Sequence, residues 1–254
     1  MEALLLIKAT LRIYFKSIKK TFEQSLHCWK YLLFHLLITL ACLIASIFSR
    51  LIPGIVGGFI LGIFLALAAS CYLASIFATY SRERKSFKDL FFSGLSIFNP
   101  LLSVLFSLFI VHLLSNNAPS GLQLFIGLAV AIVFNPMPEL VQLRPSGIME
   151  MLSESLEFIR DNLVEWNLPY FLLIGVIYLL EPITARSLFY FFATINPVDL
   201  IQLFLLNLSS VSFFSPLTLI SLVIFYLLFV FRLNLFYALS STTHRKRIYS
   251  ERNL

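Results

Sequence analysis

Residues 54–79 run from Gly54 to Thr79 without a single Asp, Glu, Lys or Arg. A surface helix of a soluble protein needs a polar face, so a helix that is apolar all round belongs in a large core or in a bilayer. A hydrocarbon layer about 30 Å thick is crossed by roughly 20 apolar residues at 1.5 Å rise each. Five further runs have this character: 29–48, 95–114, 121–140, a short one at 166–181, and 216–237. Composition agrees. The 254 residues are 59% hydrophobic and 13% charged, against about 45–50% and about 25% in soluble domains, which excludes a water-soluble globule and a disordered chain. The predicted fold class is all-α: a polytopic membrane helix bundle of about six transmembrane helices.

Orientation follows from the basic residues, which are retained on the cytoplasmic side. Six spans with both termini cytoplasmic place all but Arg50 and Arg186 of the 19 Lys and Arg residues inside. An odd number of spans would break that asymmetry. The apolar run Ala3–Ile7 is too short for a signal-peptide core, so the first span is expected to act as the insertion signal and remain. The pattern suits a bacterial plasma membrane. Cys28, Cys42 and Cys71 form neither a disulfide framework nor a metal-ligand spacing; they read as small buried apolar side chains.

Two segments are amphipathic rather than spanning. In residues 1–28, Ile7, Leu11, Phe15, Ile18, Phe22 and Leu26 recur at steps of three and four and share one helical stripe. Lys8, Arg12, Lys16, Lys19 and Lys20 occupy the other faces. Such a helix lies in the headgroup plane with its cations near anionic lipid, or serves as a plain elbow before the first span. The remainder, 29–254, is read as the six-span domain. Within it, residues 147–166 form an acidic amphipathic helix with Ser146 as a plausible cap. Its stripe is Ile148, Leu152, Leu156, Ile159, Leu163 and Trp166, and its polar side is Glu150, Glu154, Glu157, Asp161 and Glu165. Those carboxylates either dock a basic partner, the N-terminal helix or the Arg82–Lys88 loop, or face water. Trp29 and Trp166 mark entry into lipid, where indole rings favour the interface. Residues 182–209, broken at Pro182 and Pro197 and carrying Asp199 and Gln202, read as an interfacial or a shallow re-entrant segment.

The middles of the six spans lack ionisable carboxylates, lysines and arginines, which weighs against an ion-coupled transporter. His35 and His112 lie at different depths, so no metal site is expected. No nucleophile elbow, phosphate loop or zinc motif is present, and neither a catalytic residue nor a cofactor is assigned. The polar cluster singled out is Asn135, Glu139 and Arg144, where Pro136 and Pro138 free backbone carbonyls. It is either a structural kink with an interfacial salt bridge, Glu139 meeting Arg144 or the Arg82–Lys88 loop, or a functional site. Gly58 and Gly62 make a Gly-x-x-x-Gly spacing that allows a close helix crossing, in the bundle or between subunits.

The basic hairpin Tyr80–Leu90, the Asn135–Glu139 turn, the Glu154–Trp166 stretch and the basic tail Arg245–Arg252 together resemble bacterial multi-spanning membrane families. One of these is the membrane domain found beside some glycerophosphodiester phosphodiesterases. The resemblance implies a helical membrane fold and carries no catalytic residues across. The expected function is a non-enzymatic scaffold or accessory subunit of a membrane complex, with anionic lipids and a membrane protein or a second copy as partners and no nucleic acid. The alternatives are a permease-type transport subunit driven by a separate ATPase, and a lipid-handling protein using Glu139.

Overall fold

The computed structural model describes residues 2–49, 51–52, 55–115, 118–180 and 216–242, and every regular element among them is helical. In chain order these are α1 (Glu2–His27), α2 (Lys30–Ser49), α3 (Ile55–Tyr80), α4 (Phe87–Ser115), α5 (Ser120–Val133), α6 (Met137–Leu143), α7 (Ile148–Leu180) and α8 (Pro216–Ser240). Three helical stretches are long and apolar enough to cross a bilayer: Val56–Tyr80, Phe87–Ser115 and Gly121–Leu143. A fourth is reached if Leu5–His27 and Lys30–Cys42, bent by 81°, count as one broken span. The described residues therefore form a multi-span helical bundle with three or four such spans, fewer than the six expected. Residues 182–209, with Arg186, Asp199 and Gln202, lie outside the described residues, as do Arg50 and the tail Arg245–Arg252.

Several boundaries differ from the hydropathy runs for identifiable reasons. The third run starts a helix at Phe87 rather than at 95, because Ser86 and Asp89 cap it reciprocally. The Asp89 carboxylate accepts from the Ser86 N–H at 3.1 Å, and the Ser86 hydroxyl accepts from the Asp89 N–H at 3.2 Å. The fourth run is two helices, α5 and α6, parted at the Asn135-Pro136 break. The fifth is the second half of α7, continuous with the acidic helix across a non-helical residue, Asn162 (φ −138°, ψ 23°).

α3 is the central post, packed on α2 and α4 and touched by α1, α6 and α8. One side of it is built from small residues, Ala66, Ala69, Ser70, Cys71 and Ala74, all buried, so α4 comes in close. The two backbones are in tight contact at Gly94 of α4: a Cβ there would sit 2.7 Å from the Cys71 sulfur and 2.8 Å from its Cα. The expected Gly58–Gly62 crossing is absent from the bundle; a Cβ at either would have nothing within 4 Å. Gly94→Ala is therefore expected to push two helix backbones apart and cost about 1–3 kcal/mol, as overpacking does. Gly58→Ala and Gly62→Ala should leave the thermal midpoint in detergent unchanged.

α3 ends where Arg82 takes the left-handed conformation (φ 57°). The Arg82 N–H bonds Thr79 O at 3.2 Å and the Glu83 N–H bonds Ala78 O at 2.9 Å, the paired closure of a Schellman motif. The all-round apolar surface expected of a membrane bundle is present: Phe59 and Ile60 on α3, Phe106 and Phe109 on α4 and Phe125 on α5 are exposed. The three cysteines are free and buried, as expected.

Candidate functional site

The site grows from the proline break. Pro136 and Pro138 bring no N–H to the helix ladder, and two carbonyls around them take donors from other helices. Val133 O accepts from the Ser155 hydroxyl of α7. Asn135 O accepts from Arg232 Nη2 of α8 at 2.6 Å. The same guanidinium donates through Nη1 to Asn135 Oδ1 at 3.0 Å. Its Nε and Nη2 fork onto the two oxygens of Glu139 at 2.6 and 2.9 Å, the geometry that makes an arginine–carboxylate pair strong. Asn135 Nδ2 passes the network on to Asn167 Oδ1 at 3.0 Å, and Asn167 Nδ2 ends it on Leu163 O.

The pair is sealed. The Arg232 side chain is 8% exposed and that of Glu139 1%. The Trp166 ring lies 5.1 Å and the Phe229 ring 5.5 Å from the guanidinium carbon, so the cation is covered by aromatic faces. Trp166 packs in turn on Phe158 and Phe236. It is 1% exposed and is an interior residue, not the interfacial marker expected. The pair holds opposite charges against each other in the interior. It clamps α6, α7 and α8 together.

The partner of Glu139 is thus Arg232, not Arg144 or the Arg82–Lys88 loop. Arg144 stands away from the cluster, 65% exposed and 3.6 Å from Glu154, a surface contact worth about 0–1 kcal/mol. Glu139 and Arg232 are 93 positions apart. The signal that joins them was available: each is the lone charge near the C-terminal end of its apolar run, and the two are opposite in sign.

α1 has three faces. Ala9, Thr10, Ser17, Thr21, Gln24 and Ser25 are buried, and α8 is their main partner. There Asn234 Nδ2 donates to Gln24 Oε1 at 2.7 Å and to Thr21 Oγ1 at 3.2 Å, while Gln24 Nε2 donates to Tyr80 O at 2.6 Å. The predicted stripe from Ile7 to Leu26 is exposed along its whole length, with Phe15 at 71%. Lys8, Arg12, Lys16 and Lys19 are exposed beside it. Lys20 leaves that row: its ammonium sits 4.8 Å from the centre of the Tyr80 ring. Burial first, then Arg82 and Lys16, lowers its pKa.

On α7 the buried row is Met151, Ser155, Phe158, Ile159, Asn162, Glu165 and Trp166, shifted from the predicted stripe, of which Leu156 and Leu163 are exposed. Serine and asparagine can face inward because each has a carbonyl to bond, Val133 O and Phe158 O. Of the acidic set, Glu150, Glu157 and Asp161 are exposed and Glu154 is half-buried. Arg160 sits between its neighbours, 3.0 Å from Asp161 and 3.7 Å from Glu157. Glu165 is buried, and its backbone carbonyl, which Pro169 cannot serve, accepts from the Tyr14 hydroxyl of α1. α7 thus meets α1 through a hydroxyl on a backbone carbonyl, which is not the carboxylate docking expected, and Arg82 of the basic loop pairs with Glu23 of α1 at 3.4 Å.

Among the described residues no three His, Cys, Asp or Glu side chains stand close enough to hold a metal. His35 is 1% exposed with its ring 4.1 Å from that of Tyr72, a packed position. Compared with protein-family models, with curated proteins and with solved structures, the chain matches none.

Proposed function

We propose that this is an integral bacterial plasma-membrane protein of about six spans, with cytoplasmic termini, that works as a non-enzymatic scaffold or accessory subunit. The observation that carries this reading is the three-sided α1. Its small polar face is committed to α8, its apolar stripe is exposed, and a cationic row borders the stripe. A helix so built lies along a membrane surface, stripe toward the acyl boundary and cations toward anionic headgroups. The interior charges are meanwhile spent on each other. The remaining chemistry is on the cytoplasmic side, where α1, the Arg82–Lys88 loop and the exposed acids of α7 offer charge of both signs to a second membrane protein or another copy. Likeness to the multi-spanning families named above adds to the reading.

The test is lysine-directed cross-linking of the full chain in mild detergent, with mass spectrometry of what is joined. A stoichiometric partner linked to Lys8, Lys16 or Lys19 is expected, and the amount of that partner retained by the chain without cross-linker should fall at least about tenfold when all three are changed to glutamate. A chain that purifies alone, with no cross-link that responds to those changes, would overturn the reading. The permease-type subunit is a second reading, favoured by the form of α7: one helix carries exposed acids at one end and enters the apolar region at the other. It requires an ATPase as the cross-linked protein.

A further inference from the structure

A cleft of about 220 Å³ opens where α3, α4 and α6 meet, at the same end of the bundle as the basic loop. Known small-molecule sites run from about 300 to 1,000 Å³, so this one has room for a headgroup and not for a whole amphiphile. Its floor is apolar, from Ala74, Phe77 and Ile97. Its polar groups are of two kinds. Lys85 supplies an ammonium, 3.2 Å from the Ser93 hydroxyl and 2.9 Å from the Glu83 carboxylate. Gln142 supplies an acceptor: its Nε2 is committed to Pro138 O at 3.0 Å, which leaves Oε1 buried and without a hydrogen-bond partner.

A bare phosphate would satisfy the ammonium and the hydroxyl and leave the acceptor unmet. A bare amine would do the reverse. A zwitterion with phosphate at one end and N–H donors at the other meets both. We propose that the cleft seats the phosphoethanolamine headgroup of a membrane phospholipid. The phosphate lies against Lys85 and Ser93, and the ammonium donates to Gln142 Oε1. The proposal rests on the reading that this end of the bundle lies in a headgroup layer.

The experiment titrates the purified full chain in detergent with short-chain phosphatidylethanolamine, phosphatidylcholine and free phosphoethanolamine, and reads bound ligand by native mass spectrometry. Phosphatidylcholine keeps the phosphate and the charge and has no N–H. The wild-type chain should hold phosphatidylethanolamine at least about tenfold more tightly, the scale of a hydrogen bond to a charged group. Gln142→Leu should erase that preference, Lys85→Gln should weaken both lipids about tenfold, and Lys88→Gln, outside the cleft, should change neither. Equal affinity for the two lipids, or full binding by Lys85→Gln, would overturn the proposal. Free phosphoethanolamine bound as tightly as the lipid would overturn the lipid as its source. A chain with glutamate at Lys8, Lys16 and Lys19 should bind as the wild type does. Loss there without loss in Lys85→Gln would assign the lipid to α1, so failure of the cleft and failure of the α1 reading are distinguishable.

Discussion

Glu139→Ala is expected to be the most damaging single substitution at this site, costing about 3–5 kcal/mol. The cost is not the strength of the ion pair itself. It is the penalty of leaving the Arg232 guanidinium, 8% exposed and roofed by Trp166 and Phe229, without its carboxylate while it still donates to the two oxygens of Asn135. Glu139→Gln keeps the shape and one acceptor, so its loss should be nearer 1–3 kcal/mol. The combination Arg232→Met with Glu139→Leu should recover most of the stability, because an apolar pair of similar volume often replaces a buried ion pair without loss. Unfolding by denaturant in detergent, run on Glu139→Leu, on Arg232→Met and on their combination, closes a cycle that isolates the coupling. A Glu139→Ala chain as stable as the wild type would show that the clamp does not hold α6, α7 and α8 together.

The membrane-like, helical character was legible because hydropathy depends only on local composition, and the runs at 29–48, 54–79 and 216–237 fall on α2, α3 and α8 within a few residues. The start of α4 was legible too, in the Ser86-Phe-Lys-Asp89 box, but hydropathy hides a cap that precedes the apolar run. The proline break was read with its consequence, freed carbonyls, yet not with their receivers. Ser155 and Arg232 come from other helices, and no local pattern names them. Glycine spacing misled for a related reason. Gly58-x-x-x-Gly62 has the right interval and faces away from the bundle, whereas the crossing that needs a glycine is at Gly94, a lone one in its helix, opposite Cys71. The stripe on α1 follows from its spacing, whereas its buried face has no such signal. Thr21 and Gln24 look like solvent residues until Asn234 of α8 is set against them.

Asn234→Leu is expected to undock α1 while the rest of the bundle stays folded. The side chain is 3% exposed, and its amide donates to Gln24, Thr21 and Val230 O. Leucine fills a similar volume, so cavity formation does not confuse the result. What is lost is the donor to Gln24 Oε1, which then lies buried and unmatched at a cost of about 1–3 kcal/mol. Because α8 is the main partner of α1, that cost falls on local opening of α1 and not on global unfolding. Lys16 and Lys19 are exposed but helical, so a protease reaches their bonds only when α1 opens. Where opening is fast relative to cleavage, the rate follows the open population, and 1–3 kcal/mol raises it by about five- to hundredfold. Trypsin cleavage at those lysines should rise by that factor in Asn234→Leu, with the thermal midpoint of the bundle nearly unchanged. Glu139→Ala should give the opposite pattern, a lowered midpoint with cleavage of α1 rising only as the whole chain unfolds. Unchanged cleavage in Asn234→Leu would mean that apolar contacts alone hold α1, and the polar face would then lose its part in fixing the helix that the proposed function depends on.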